Sequence, residues 1–449
     1  MRYLAVLAAS VCLSAVCSGQ ASGQTLEDAL FEAENSNPQL QSQRQQKRIS
    51  EEQLKIAKGA RLPTVEVTGQ YGPETIQTNR SLVLDQGGRQ IASTSLQATQ
   101  PIYAGGRIKA GILEARAGIG ASRAQLEAVR QDMYLNVVTA YLDVRRDRET
   151  IGIRESSVGL LTEQYQAAQD RFDVGEITRT DVAQAEARLE SAKANLAAAV
   201  AQAEGSIANY EFFVGEVPGE LAPPPHVKNL PTSFDEALAI AFENNPDIEV
   251  AKFNERAAEQ RVKAARASLR PELNIVASAA VQGTLNQPDS PDSPFAPGGP
   301  TPNFLDRNVS AFAQARIPIY QGGVARSQVR SAKLSRSQAR LDIEVMRRQT
   351  VAQVSQSWHS YRSALIGIEA SKRQVKAAEV AYEGGVEELA VGVRTTLDVL
   401  DQEQDLLDAR LGVSIAERDA YVASSQLLRA MGALTPGQFL AGPSLSTDP

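Results

Sequence analysis

The chain has 449 residues, of which 22% are charged and 5% aromatic, and its formal net charge is −7. An acidic balance argues against a nucleic-acid partner, because phosphates select basic surfaces. The two cysteines are Cys12 and Cys17, so a chain processed beyond them has no disulfides, thiol catalysis or cysteine metal sites.

The N-terminus reads as a targeting signal. Met1-Arg2 carries a positive charge, and residues 4–16 form a short apolar run followed by small residues. A run of about 13 residues is too short to span a bilayer and fits a secretory leader. Ala21-Ser22-Gly23 offers a small-x-small cleavage site, so residues 1–23 are expected to be the signal peptide and Gln24 the first mature residue. Cys17, after Ser14-Ala15-Val16, offers an alternative as a lipid-attachment site, which the bulk of Val16 disfavours. No later stretch reaches the roughly 18 apolar residues of a transmembrane helix. Membrane contact by the mature chain must then come from a β-barrel or a lipid.

The remainder is an internal duplication. Thr25-Leu26-Glu27-Asp28-Ala29-Leu30 with Asn37-Pro38 returns as Ser233-Phe234-Asp235-Glu236-Ala237-Leu238 with Asn245-Pro246, a constant shift of 208 positions. Pro101-Ile102-Tyr103-Ala104-Gly105-Gly106 returns as Pro318-Ile319-Tyr320-Gln321-Gly322-Gly323, now 217 away. The second copy therefore holds extra residues, which fall in residues 283–307. That stretch is rich in Pro, Gly, Asp and Asn and reads as an exposed loop. The first repeat is expected over 24–232, the second over 233–440, and a C-terminal tail over 441–449.

Two proline-free spans follow, between Pro101 and Pro218 and between Pro318 and Pro436. Rich in Ala, Gln, Glu, Arg and Leu, they predict helices. Each is interrupted once, at Val174-Gly175-Glu176-Ile177-Thr178-Arg179-Thr180-Asp181 and at Val391-Gly392-Val393-Arg394-Thr395-Thr396-Leu397-Asp398. Gly ends one helix and Thr or Asp starts the next, which predicts helical-hairpin tips near 173–181 and 390–398. A helix over 107–173 would be about 100 Å long. The return helix carries a heptad seam at Val182, Leu189, Leu196 and Ala203, offset by Ala185, Ala192 and Ala199. The second copy repeats it at Val399, Leu406 and Val413 with Ala409 and Ala416.

Between these parts lie segments that alternate. Val65, Val67, Gly69 and Tyr71 alternate with Thr64, Glu66, Thr68 and Gln70, and Leu273, Ile275, Ala277, Ala279 and Val281 hold the matching face after Pro271. The segments ending at Tyr103 and Tyr320 alternate too. Each is about ten residues long, as a tilted membrane strand requires. Four strands cannot close a pore, because the smallest single-chain barrels use eight. Several chains must pool strands, or the strands lie in a soluble sheet.

From the mature N-terminus to about residue 440, the chain resembles the TolC family of outer-membrane efflux and secretion channels. The second-tip motif carries this best, running from Val391-Gly392 through Arg394, Asp398 and Leu400-Asp401. The resemblance implies a homotrimer whose chains each give four strands to a 12-strand β-barrel in outer-membrane lipid. A long periplasmic α-helical coiled-coil tunnel would continue it. An inner-membrane transporter and a periplasmic adaptor would engage its closed tip. By the same resemblance Arg394 ties neighbouring hairpins, with Thr180 as its partner on the first tip. Asp181 matches an aspartate that elsewhere bonds a tyrosine, but Leu389 stands in that place, which implies a looser or differently tied gate. Asp398 and Asp401 match the entrance carboxylates, and Val174, Gly175, Val391 and Gly392 match the lip where adaptors dock.

Spacing agrees for the aspartates, since residues three apart share a helix face. Six such carboxylates around one threefold constriction should favour cations and raise some carboxylate pKa values. Asp405 and Asp408 extend the stripe but read as a solvated face. Neither His226 nor His359 belongs to a metal or triad motif, and Gly105-Gly106 and Gly322-Gly323 lack the Lys-Ser/Thr of a phosphate loop. No enzyme, cofactor or metal is expected. The competing reading is a structural or adhesive coiled-coil protein of the cell envelope, and transported substrate is not legible.

Overall fold

The computed structural model describes residues 23–75, 88–285 and 305–439. The signal peptide except Gly23, Cys17, residues 286–304 of the expected loop and the tail over 441–449 lie outside the described residues.

Each half of the chain has the same element order. The first runs α1 (Leu26–Ser36), α2 (Pro38–Gly59), β1 (Thr64–Thr75), β2 (Gly88–Ala104), α3 (Arg107–Asp173) and α4 (Arg179–Val214). The second runs α5 (Phe234–Asn244), α6 (Pro246–Ala267), β3 (Glu272–Leu285), β4 (Leu305–Arg316), α7 (Val324–Ala390) and α8 (Thr396–Ala430). The repeated Asn-Pro step has a local cause. Asn37 Oδ1 accepts from the amides of Gln39 and Leu40 at 3.0 and 3.2 Å, and Asn245 Oδ1 from those of Asp247 and Ile248 at 2.9 and 3.3 Å. Proline in the first helical position lacks only a donor that would have stayed unpaired. The step therefore stops one helix and caps the next.

Two compact units form, each drawing on both halves. One holds most of α2, the sheet, α6 and the first parts of α3 and α7. Its strands make a four-stranded antiparallel sheet in the order β1-β2-β3-β4. The strands run 12 to 17 residues, longer than the expected ten. β3 and β4 also claim both ends of the expected loop, because Val281 pairs with Arg307, Gln282 with Asp306 and Gly283 with Leu305.

Register gives the sheet two unlike faces. Val65, Ala98, Ala277 and Ala311 lie side by side, as do Val67, Leu96, Ala279 and Val309. On the opposite face Glu66, Gln97, Ser278 and Ser310 form one row, and Gln70, Ser93, Gln282 and Asp306 another. The apolar face is open: Val67 is 67% and Val309 82% exposed. Among the described residues, β1 and β4 each pair with one neighbour only, so the sheet has two long free edges.

The other unit holds α1, α4, α8 and the remaining parts of α3 and α7. Here α8 is bonded to α3 along its length. Gln164 Nε2 donates to Glu403 at 3.0 Å, Ser414 to Glu149 at 2.8 Å, Arg418 to Asp143 at 2.8 Å and Arg429 to Asp132 at 2.5 Å. The partners advance in opposite directions, as antiparallel helices require. Tyr141 and Tyr210 lie fully buried with ring centroids 6.5 Å apart. The Tyr141 hydroxyl reaches the carbonyls of Gln24 and Ala222 at 2.9 and 2.6 Å. This contact fastens the start of the described chain to the segment after α4. Burial, offset partly by the charge of Arg145, pushes that hydroxyl up to about 12.

Candidate functional site: the helical-hairpin tips

Both tips close by the same device. The Gly175 amide donates to Phe172 O at 2.9 Å and the Glu176 amide to Arg171 O at 2.9 Å. In the second copy Gly392 donates to Leu389 O at 3.0 Å and Val393 to Glu388 O at 2.9 Å. These are Schellman turns, which need a left-handed residue after the helix. Gly175 and Gly392 supply it with φ of 79° and 78°. Val174 and Val391, beside them, are 72% and 74% exposed.

The next residues start the return helices, and here the aspartates acquire a local role. Thr178 donates from its amide and hydroxyl to Asp181 Oδ2 at 2.9 and 2.8 Å, and the Asp181 amide donates back to Thr178 Oγ1 at 3.4 Å. Thr395 and Asp398 repeat the arrangement at 3.1, 2.8 and 3.3 Å. Both are capping boxes with aspartate in the third helical position. The bonds from Thr178, backbone first, hold the Asp181 carboxyl below the usual range. Those from the Thr395 hydroxyl and then its amide do the same for Asp398, aided by Arg394. Within one chain the shift at Asp398 is thus opposite to the expected rise. Two donors on one carboxylate favour the charged form. The Thr-x-x-Asp spacing was readable in the sequence, at Thr25 and Asp28 as well.

Arg394 stays on its own hairpin. Its Nε donates to Glu388 Oε2 at 2.5 Å. The Gln402 amide, with its nitrogen turned to Ala381 O at 3.2 Å, accepts from Arg394 Nη1 at 2.5 Å. Thr180 is exposed in the first turn of α4. The first tip carries the reverse ion pair, Arg171 with Glu176 at 3.5 Å.

Asp401 makes a tie that sequence reasoning missed: Arg188 on α4 donates to its carboxylate on α8. Beneath this pair Leu161, Leu189 and Leu400 form a small apolar core, with Val158, Tyr165 and Ala192 packed on it. The first hairpin is therefore held to the second by an ion pair over a leucine cluster. Leu389 is half-buried and cannot replace a tyrosine hydroxyl as a donor.

An open amphipathic sheet of membrane-strand length, together with two long helical hairpins joined near their tips, is the architecture of an outer-membrane channel protein. The chain belongs to the outer membrane efflux protein family, whose model matches residues 29–210 and 237–433. It is 35% identical over 435 residues to the outer membrane efflux protein BepC of Brucella suis, covering 96% of this chain and 91% of that one. It is 24% identical over 433 residues to the outer membrane protein TolC of Escherichia coli, covering 94% and 85%. Its fold is that of the Campylobacter jejuni CmeC outer membrane channel, with a TM-score of 0.77 at 16% identity over 91% of this chain and 85% of that one. The protein is an outer-membrane efflux or secretion channel with a periplasmic helical part.

Proposed function

We propose that three copies pool their sheets into one 12-strand barrel and that the hairpin tips form its periplasmic gate. The supporting observation is the four-stranded sheet with an apolar face and two free edges. In hydrocarbon unpaired backbone groups are intolerable, so a sheet enters a membrane only when closed. Closure by identical copies joins β4 of one to β1 of the next. A periplasmic adaptor would dock on the lip made by Val174, Gly175, Val391 and Gly392, and an inner-membrane transporter would feed the duct.

At the gate Asp398 and Asp401 would line the entrance, drawing cations. Arg394, Asp181 and Thr180 would hold the hairpin ends, and Arg188 would supply the tie that Leu389 cannot. Single-channel conductance in planar bilayers tests this, with wild type beside Arg394→Ala. Small cation-selective steps from the wild type and larger ones from the variant are expected. Identical steps would remove Arg394 from the gate. Folded protein without conductance would overturn the pooled barrel and its gate.

A further inference from the structure

Glu403 on α8 lies in the wall shared by two clefts and is only 6% exposed. Its Oε2 accepts from Gln164 Nε2 on α3 at 3.0 Å. Two oxygens are then buried without a hydrogen-bond partner among the described residues: Glu403 Oε1 and Gln164 Oε1, one on each member of the same pair. With the glutamate ionised both are acceptors, so neither can satisfy the other. A buried acceptor without a donor is costly, and more so on a charged group. One proton taken from solvent onto Glu403 Oε1 would make that oxygen a donor, and Gln164 Oε1, on the residue already bonded to it, is an acceptor that lacks one. Donation from that oxygen to Gln164 Oε1 would close a two-bond ring between acid and amide.

We propose that Glu403 is held in its protonated form and that its ring with Gln164 is a proton-operated latch between the first and second hairpins. The neighbouring groups are consistent with this. Glu149 and Arg154 of α3, Arg188 of α4, and Glu379, Tyr382 and Glu383 of α7 line the same two clefts, with Arg410 of α8 itself. Two of the cations are engaged elsewhere, Arg188 with Asp401 and Arg410 with Glu379 at 3.1 Å. Burial raises the Glu403 carboxyl above the ordinary glutamate value, and the Gln164 bond and the Arg188 charge offset this only in part. Because the folded value is raised, the latch is complete below the ordinary value and is lost as pH rises through the raised one. Acid closes it and alkali releases it.

The latch rests on side-chain geometry; its action on a gate rests on the channel reading above. The experiment is an infrared pH titration of the purified full-length protein, wild type beside Glu403→Gln. The variant keeps both hydrogen bonds as an amide pair and so holds the latch at every pH. The wild type should show a protonated-carboxyl stretch that persists above the usual glutamate value of about 4.3 and is missing from the variant. No such band, or one that disappears at the usual value, overturns the proposal. Conductance recorded over the same pH range should rise with pH in the wild type and stay level in Glu403→Gln. An equal rise in both would overturn the gating role. A chain that conducts under no condition would sink the proposed barrel and gate, and the infrared band would still decide the latch.

Discussion

The Arg188 guanidinium and the Asp401 carboxylate join α4 to α8, so the two hairpins of a single chain are tied at a residue whose spacing suggests only an entrance charge. The pair is partly exposed, at 38% and 58%, and such pairs contribute about 0.2–1 kcal/mol. Arg188→Ala and Asp401→Ala should therefore each destabilise the fold only slightly. In a double-mutant cycle their effects should be non-additive, and each should enlarge the conductance. Additive effects on conductance would show that the two residues act separately.

Leu189→Ala tests the apolar half of the same junction. Leu189 is 5% exposed within the cluster of Leu161 and Leu400. Truncating a buried leucine costs about 2–5 kcal/mol. The variant should melt lower than the Arg188 variant and open the tip further.

The two capping boxes should make the tips acid-sensitive. Asp181 and Asp398 are held below their usual values, so their contribution is present above the unfolded-state value of about 3.9. It is lost as pH falls through the lowered folded-state values. Thr395→Ala should erase this sensitivity at the second tip, seen as faster amide exchange at the start of α8 that no longer changes on acidification. Unchanged acid sensitivity in the variant would show that the box does not carry it.

Tyr141→Phe removes the donor to two carbonyls, Gln24 O and Ala222 O. Gln24 O keeps the Ala222 amide at 3.1 Å, so the loss falls on Ala222 O and costs about 1 kcal/mol, which thermal melts will read. The wild type should also lose stability as pH rises from the ordinary tyrosine value of about 10 through the folded value of about 12. The variant should lack that component.

The matched turns at Gly105 and Gly322 separate conformation from crowding. Both have left-handed φ, 62° and 58°. A Cβ at Gly105 would stand 2.7 Å from Ala267 O, while one at Gly322 meets nothing within 4 Å. Gly105→Ala should therefore destabilise more than Gly322→Ala. Equal losses would mean that backbone strain alone sets the cost.

Elements were legible where one local rule decides them. The proline-free span predicts a helix over 107–173, and α3 occupies Arg107–Asp173. Alternation of Val65, Val67 and Tyr71 shows which face of β1 is apolar, and the observed ladder extends it across all four strands. The tip contacts were less legible, for two reasons. Asp398 shares a helix face with Asp401, but Thr395 claims it first as a cap. Gln164 and Glu403 are 239 positions apart, and no periodicity links residues that meet only when α3 packs against α8. The tie from Arg188 to Asp401 is hidden for the same reason.

The free edges of the sheet also bear on the order of events in biogenesis. A lone subunit placed in lipid would leave a row of unpaired amides and carbonyls along β1 and β4, each costing several kcal/mol. Its strands hold far more Ala, Thr, Ser and Gln than Leu and Ile, which suits passage through water. If three copies pool their sheets as proposed, helical hairpins would fold early and membrane entry would wait for a closed ring of partners. The bilayer itself would then act as the quality check, admitting completed assemblies and refusing incomplete ones.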